Sequence, residues 1–261
     1  MSGATAALWT EALKARRSRM PWLTALGFSL APLMGGLFMM ILKDPEWALR
    51  FGLITTKAQI TAGAADWPTY LGLLRQAVAV GGLVVFGRVA TGVVGREYTD
   101  PTVTDQLALP TTPEVIVVAK FVMIAFWSAV LTALVCALGL STGAAVGLPG
   151  WSLDLALGFA GRIAATAGLT VLLVCPFAWA ASAGRGYLPP IATMFLVIFL
   201  SQVIAALGWG AYFPWSAPAL ISGVAGPNDQ RLGAISYLLV ALTGAGGIAG
   251  AVARWRWADQ T

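Results

Sequence analysis

From Met20 to Leu42 the chain runs 23 residues without a charge, between Arg19 and Lys43. At ~1.5 Å per residue, a helix of that length crosses a hydrocarbon layer of ~30 Å. Similar runs follow at 121–153, 163–184 and 232–253. A backbone placed in lipid has no water to bond, so such runs are expected to be helical. The pattern predicts six spans, at about 20–42, 70–94, 114–140, 153–181, 188–208 and 231–253. Arg75 and Arg88 interrupt the second span, and Arg162 lies in the fourth. The third is expected to end near 140 in the Gly- and Pro-rich stretch that leads to Trp151. Composition agrees, because 10% charged residues is far below the ~25% of soluble domains. The expected fold class is an all-α polytopic membrane protein, one transmembrane domain over residues 1–261. The first run is long for a signal peptide and has no A-x-A-like site close behind it, so it reads as a retained span.

Histidine is absent, which removes every mechanism needing an imidazole base, ligand or phospho-acceptor. Rhomboid-like proteases and histidine-dependent phosphatases are excluded on that ground. Cys136 and Cys175 both sit inside apolar runs and read as small core residues, not as a disulfide or metal site. No catalytic or metal-binding residue is assigned. The net charge of +5 reads as a topology signal, not a nucleic-acid footprint. With the N-terminus inside, ten basic residues face inward and five outward, so both termini are expected to be cytoplasmic.

Residues 1–19 suggest a helix lying in the inner headgroup region, with Trp9, Ala12 and Leu13 on one side and Lys14, Arg16 and Arg17 as cationic contacts. Between spans two and three, Asp100-Pro101 marks an N-cap and first helical position. The short helix is expected to run through Leu107 until Pro110 stops it. Thr112-Pro113, with Glu114 in the next turn, starts the following helix. A stiff element over 95–113 is more than a connection requires and suggests a handle for another protein. Val103 and Leu107 would form its ridge, with Arg96, Glu97, Asp100 and Asp105 around it. On the other side, 209–230 is too apolar for a free loop and too broken to span. It is expected to dip into the outer leaflet as a short helix pair, with Trp209, Tyr212, Phe213 and Trp215 at the interface. The 43–69 loop could form a second outer cap through Trp47, Phe51 and Ile54.

Residues 86–120 resemble the pattern of ABC type-2 exporter permeases, above all the bacitracin-resistance and lantibiotic-immunity branch. The carriers are Phe86, then Gly95, Arg96, Glu97, Tyr98, Asp100, Thr102, Val103, Leu107, Ala108, Leu109 and Pro110, then Ala119-Lys120. Gln106 departs from the pattern where a second leucine is often seen. The resemblance implies a transport subunit that is not itself an enzyme, paired in the bacterial cytoplasmic membrane as a homodimer. Two separate ATP-binding subunits would dock through Arg96, Glu97, Tyr98, Thr99, Asp100, Thr102, Val103, Asp105, Gln106 and Leu107. ATP and magnesium would bind on those partners and no cofactor on this chain, which contains no G-x-x-x-x-G-K-[ST] loop. Nucleotide binding would pull the two handles together and tilt spans two and five, carrying an amphipathic drug, antimicrobial peptide or lipid-linked molecule outward.

Two alternatives stay open: a non-transporting immunity factor on the same fold, and an ion-coupled transporter. The latter needs acidic residues within the spans for coupling, whereas every carboxylate here lies near a span end or in a loop. Arg88 and Arg162 are the polar residues that could line a pathway. Gly244-Ala245-Gly246-Gly247-Ile248-Ala249 imitates a dinucleotide fingerprint but falls inside a span, so close helix packing explains it better.

Overall fold

The computed structural model describes residues 3–52, 63–99, 112–184, 188–223 and 232–257, with side chains omitted at 97–99. Helix α1 (Gly3–Arg17) precedes α2 (Met20–Lys43), short α3 (Pro45–Arg50), α4 (Trp67–Thr99), α5 (Pro113–Val146), α6 (Leu153–Ala183) and α7 (Leu188–Ala206). Two single 3₁₀ turns, Gly210–Tyr212 and Pro214–Ser216, lead into α8 (Ala217–Ser222), and α9 (Ala234–Trp257) closes the chain. Among the described residues there is no strand, and six helices are long and apolar enough to cross a membrane. The protein is an all-α polytopic membrane protein.

Local sequence explains most of the helix ends. Asp66 caps α4 by accepting from the Thr69 amide at 2.9 Å, with Pro68 in the first turn, which brings the start forward to Trp67 from the expected 70. Ser152 caps α6, accepting from the Leu155 amide at 3.2 Å. Helix α5 does not end near 140 as the glycines suggested. It continues to Val146, where Gly147 takes the left-handed conformation (φ 65°) and donates to the Ala144 and Gly143 carbonyls. Lys43 donates to the last carbonyls, of Val146 at 2.8 Å and Gly147 at 3.1 Å, so the ends of α2 and α5 are level on that side.

Helices α4 and α6 form the centre, with α9 against α6 and with α2 and α5 against α4. Small residues set these distances. A Cβ on Gly247 would strike the backbone nitrogen of Pro176, one on Gly244 would come within 3.0 Å of the Leu172 carbonyl oxygen, and one on Gly250 would press on Trp179 at 3.1 Å. One glycine face of α9 therefore lies on the proline-bent stretch of α6, as the packing reading of that motif expects. On α2, Pro32 presents its carbonyl to the Tyr70 hydroxyl at 2.9 Å, while Gly35 and Gly36 admit the Tyr70 ring and the Thr142 methyl. Buried hydroxyls bond back along their own helices, Thr166 to the Arg162 carbonyl and Thr170 to the Thr166 carbonyl, which hides them from the apolar core.

The paired glycines give a direct check. Gly247→Ala should lower the melting stability of the purified protein by about 1–3 kcal/mol through forced separation of α6 and α9. A Cβ on neighbouring Gly246 meets nothing within 4 Å, so Gly246→Ala should leave the melting curve unchanged or shift it upward.

Candidate functional site

Helices α4 and α5 overrun the bilayer. With 33 and 34 residues, each is about 50 Å long against a hydrocarbon layer of ~30 Å. At the far side they are held level, with Trp67 of α4 beside Gly143 of α5 and its ring 4.7 Å from that of Trp151. The excess therefore falls on the side bearing both ends of the chain. There α2 begins at Met20, packed so closely on α4 that a Cβ at Gly92 would collide with the methionine methyl. The residues of α4 beyond Gly92 project about 10 Å past that level.

This projection carries part of the expected handle. Gly95, Arg96, Glu97, Tyr98 and Thr99 form the end of α4 and not the start of a separate helix. Nothing between Gly92 and Thr99 breaks the hydrogen-bond ladder, so the second helix runs on beyond the expected 94. Asp100, Thr102, Val103, Asp105, Gln106 and Leu107 lie outside the described residues. On the return side Thr112 stands at the N-cap of α5 with extended backbone (φ −63°, ψ 142°) and Pro113 follows, but the Thr112 hydroxyl makes no cap bond. Ala108, Leu109 and Pro110 lie outside the described residues too, while Phe86 is buried edge-on against Phe28 at 5.6 Å and Ala119 is buried in α5.

Lys120 is 1% exposed, and its ammonium donates to Glu11 of α1 at 2.8 Å. Lys14 approaches the same carboxylate at 3.5 Å. Lys120 also lies 5.7 Å from the centre of the Trp255 ring near the end of α9, where Ile116, Val117, Ala251 and Trp255 form a small apolar cluster. Arg256 pairs with Glu114 at 3.4 Å beside it. The N-terminal helix, the third span and the last span are thus joined around one buried cation near the start of α5. Glu11 was not singled out by sequence reasoning, although it is the one acid among the cations of residues 1–19.

Helix α1 packs mainly on α5, not on α2. Trp9 is exposed and, with Leu8 and Ala12, borders an apolar groove shared with Val122 and Phe126 of α5. Leu13 is half-buried, while Arg16 and Arg17 are exposed. Between α1, α2, α4 and α5 lies a cavity of about 610 Å³. Lys14, Arg17, Arg19, Arg88 and Arg96 stand around it, above a lining that includes Leu23, Val85, Val89, Met123 and Trp127. The Trp127 indole donates to the Thr24 hydroxyl at 3.1 Å and fixes one wall. Arg17, Arg88 and Arg96 are thereby brought together from three separate readings of the sequence.

Arg162 is elsewhere, on the exposed face of α6. Its Nε–H donates to the Gly158 carbonyl at 3.1 Å, which turns the guanidinium toward the start of its own helix. Arg75 of α4 is near enough for the two cations to repel. In the outer segment, Trp209 and Tyr212 are exposed, whereas Phe213 and Trp215 stack at 5.5 Å. Trp215 reaches into the bundle and donates its indole N–H to the Leu173 carbonyl at 3.0 Å. Ser216 donates to the Ser201 carbonyl at 3.1 Å. These residues anchor the segment within the helices, deeper than an interface position for Trp215 would require. Ile54 of the other outer cap lies outside the described residues, and α3 and the residue after it supply Trp47 and Phe51 with rings 5.0 Å apart.

A bundle of six spans with this apparatus is a multi-pass membrane transport subunit, and the model of the family described as "ABC-2 family transporter protein" matches residues 7–201. The chain belongs to the ABC-2 transporter family. It is similar to the bacitracin transport permease protein BCRB of Bacillus licheniformis, 25% identical over 179 residues that cover 68% of this chain and 85% of the relative. That likeness agrees with the bacitracin-resistance branch to which residues 86–120 pointed.

The buried pair predicts a specific double-mutant result. Glu11→Leu removes the close carboxylate from a buried ammonium and should cost about 3 kcal/mol of stability. It should also expose Lys14 to Arg19 to trypsin in purified protein. Glu11→Leu combined with Lys120→Met should recover most of the stability, because neither charge is then left buried.

Proposed function

We propose that the chain is the permease subunit of an ATP-driven exporter in the bacterial cytoplasmic membrane. Its N- and C-termini and the α4–α5 connection face the cytoplasm. The observation that carries this reading is the unbroken run of α4 to Thr99, about 10 Å past the level at which α2 begins. A connection held on two continuous helices transmits a push into the core of the bundle, since α4 is packed on α6, α5 and α2. A hinge placed at the membrane surface would absorb that push. The partner is a separate ATP-binding cassette subunit, gripping Arg96 to Leu107, and ATP with magnesium is bound there. ATP must favour one arrangement of the bundle over the other for transport to follow.

The permease works as a pair with two such ATPases. The exposed arginine of α6 supports the pairing, because an ionised guanidinium at membrane depth needs a water-lined cavity or a protein neighbour. The cargo is an amphipathic molecule of the drug, antimicrobial-peptide or lipid-linked kind, moved outward by alternating access. Bacitracin, for which the relative from Bacillus licheniformis is named, belongs to this range.

Co-expression with a candidate ATP-binding cassette subunit tests the reading. Asp100→Lys together with Asp105→Lys should reduce co-purification of the ATPase at least tenfold while the permease still inserts and elutes as a folded species. A cysteine at position 98 should label only from the cytoplasmic side. Undiminished capture of the ATPase by the double variant would reject the docking surface. Substrate-stimulated ATP hydrolysis without movement of substrate in proteoliposomes would favour the immunity-factor alternative.

A further inference from the structure

We infer that the cavity between α1, α2, α4 and α5 binds the phosphate-bearing headgroup of an amphiphile that enters from the leaflet on the side of the chain termini. Its two ends differ in chemistry. At one end stand the guanidinium groups of Arg17 and Arg19, with Lys14, Arg88 and Arg96 beside them, and among the described lining residues the carboxylate is Glu11, which is engaged with Lys120. Guanidinium groups form paired, charge-assisted bonds to phosphate oxygens, which makes such a cluster better suited to phosphate than to a neutral head. Basic pockets between spans near a membrane surface bind phosphorylated lipid heads on the same principle.

The other end is apolar and open to lipid. Leu23 of α2 lines the cavity yet is 67% exposed. Gly27, one turn further along α2, also lines it, and a Cβ there meets nothing within 4 Å. An acyl or prenyl chain can therefore leave past Gly27 into the bilayer while its head stays among the arginines. A soluble anion would leave the apolar half unfilled. The volume, about 610 Å³, falls within the ~300–1,000 Å³ usual for small-molecule sites. The assignment rests on the cavity alone and stands whether or not the chain exports an amphiphile.

The full-length protein in a neutral detergent, titrated with short-chain phosphatidic acid and followed by native mass spectrometry, tests it. Saturable binding of one lipid per chain is expected, with phosphatidylcholine binding at least tenfold more weakly. Arg17→Gln with Arg19→Gln should weaken phosphatidic acid binding roughly tenfold or more, the loss expected for charge-assisted bonds. Arg16→Gln removes the same charge from the same helix but away from the cavity lining, and should leave binding unchanged. Gly27→Phe starts from a Cβ that meets nothing within 4 Å and puts its ring in the path of the chain, so it should keep the melting temperature and abolish binding. Retained binding in Gly27→Phe, or an equal loss in Arg16→Gln, would overturn the site. Inorganic pyrophosphate binding as tightly as phosphatidic acid would overturn the amphiphile.

Discussion

An ammonium group with 1% exposure must recover in protein contacts the hydration it has lost, and Lys120 does so through Glu11 and the face of Trp255. That requirement organises the terminal end of the bundle. It holds α1 against α5, and it brings the last turns of α9 against the first turns of α5. The cavity exists because α1 is held there, since without that helix the space beside Arg88 and Arg96 would be open surface. A single buried charge therefore ties the N-terminal helix into the cavity wall.

The middle of the bundle obeys a different rule. Lipid tails are as apolar as leucine, so helices gain little there from hiding hydrophobic surface and associate through close packing. The protein achieves this with small residues placed where helices cross: Gly244 and Gly247 on Leu172 and Pro176, Gly36 on Thr142, Gly139 on Leu74. Closely packed helices move as bodies, as the proposed transmission through α4 and α5 requires. On the far side Lys43 joins the end of α2 to the α5 carbonyls, and Trp215 is fixed deeper in the bundle on the Leu173 carbonyl.

Helix starts were legible because proline and capping residues act within four residues, as at Ser152 and at Thr112-Pro113. Even the early start of α4 was written in Asp66-Trp67-Pro68. Helix ends were less so. The glycines after 139 suggested a turn, but Gly139 and Gly143 are places where Leu74 and Trp67 approach the backbone, and positive φ begins only at Gly147, the stop, and recurs at Gly150. Glycine means close contact or chain reversal with equal ease, and the neighbour that distinguishes them is distant in sequence. The same limit hid the site. Arg17, Arg88 and Arg96 were noticed separately, as an interfacial cation, a span interruption and part of a motif.

By itself the sequence determined that the chain crosses a membrane as six helices, because hydrophobicity and backbone satisfaction are properties of each segment taken alone. The run from Phe86 to Lys120 also carried the family. Tertiary structure alone decided that Glu11 meets Lys120, 109 residues later, that Trp215 turns inward, and that five cations drawn from two distant stretches of chain surround one cavity. Which charges become neighbours depends on how helices cross, and crossing is set by shape complementarity between faces that no single stretch of sequence contains.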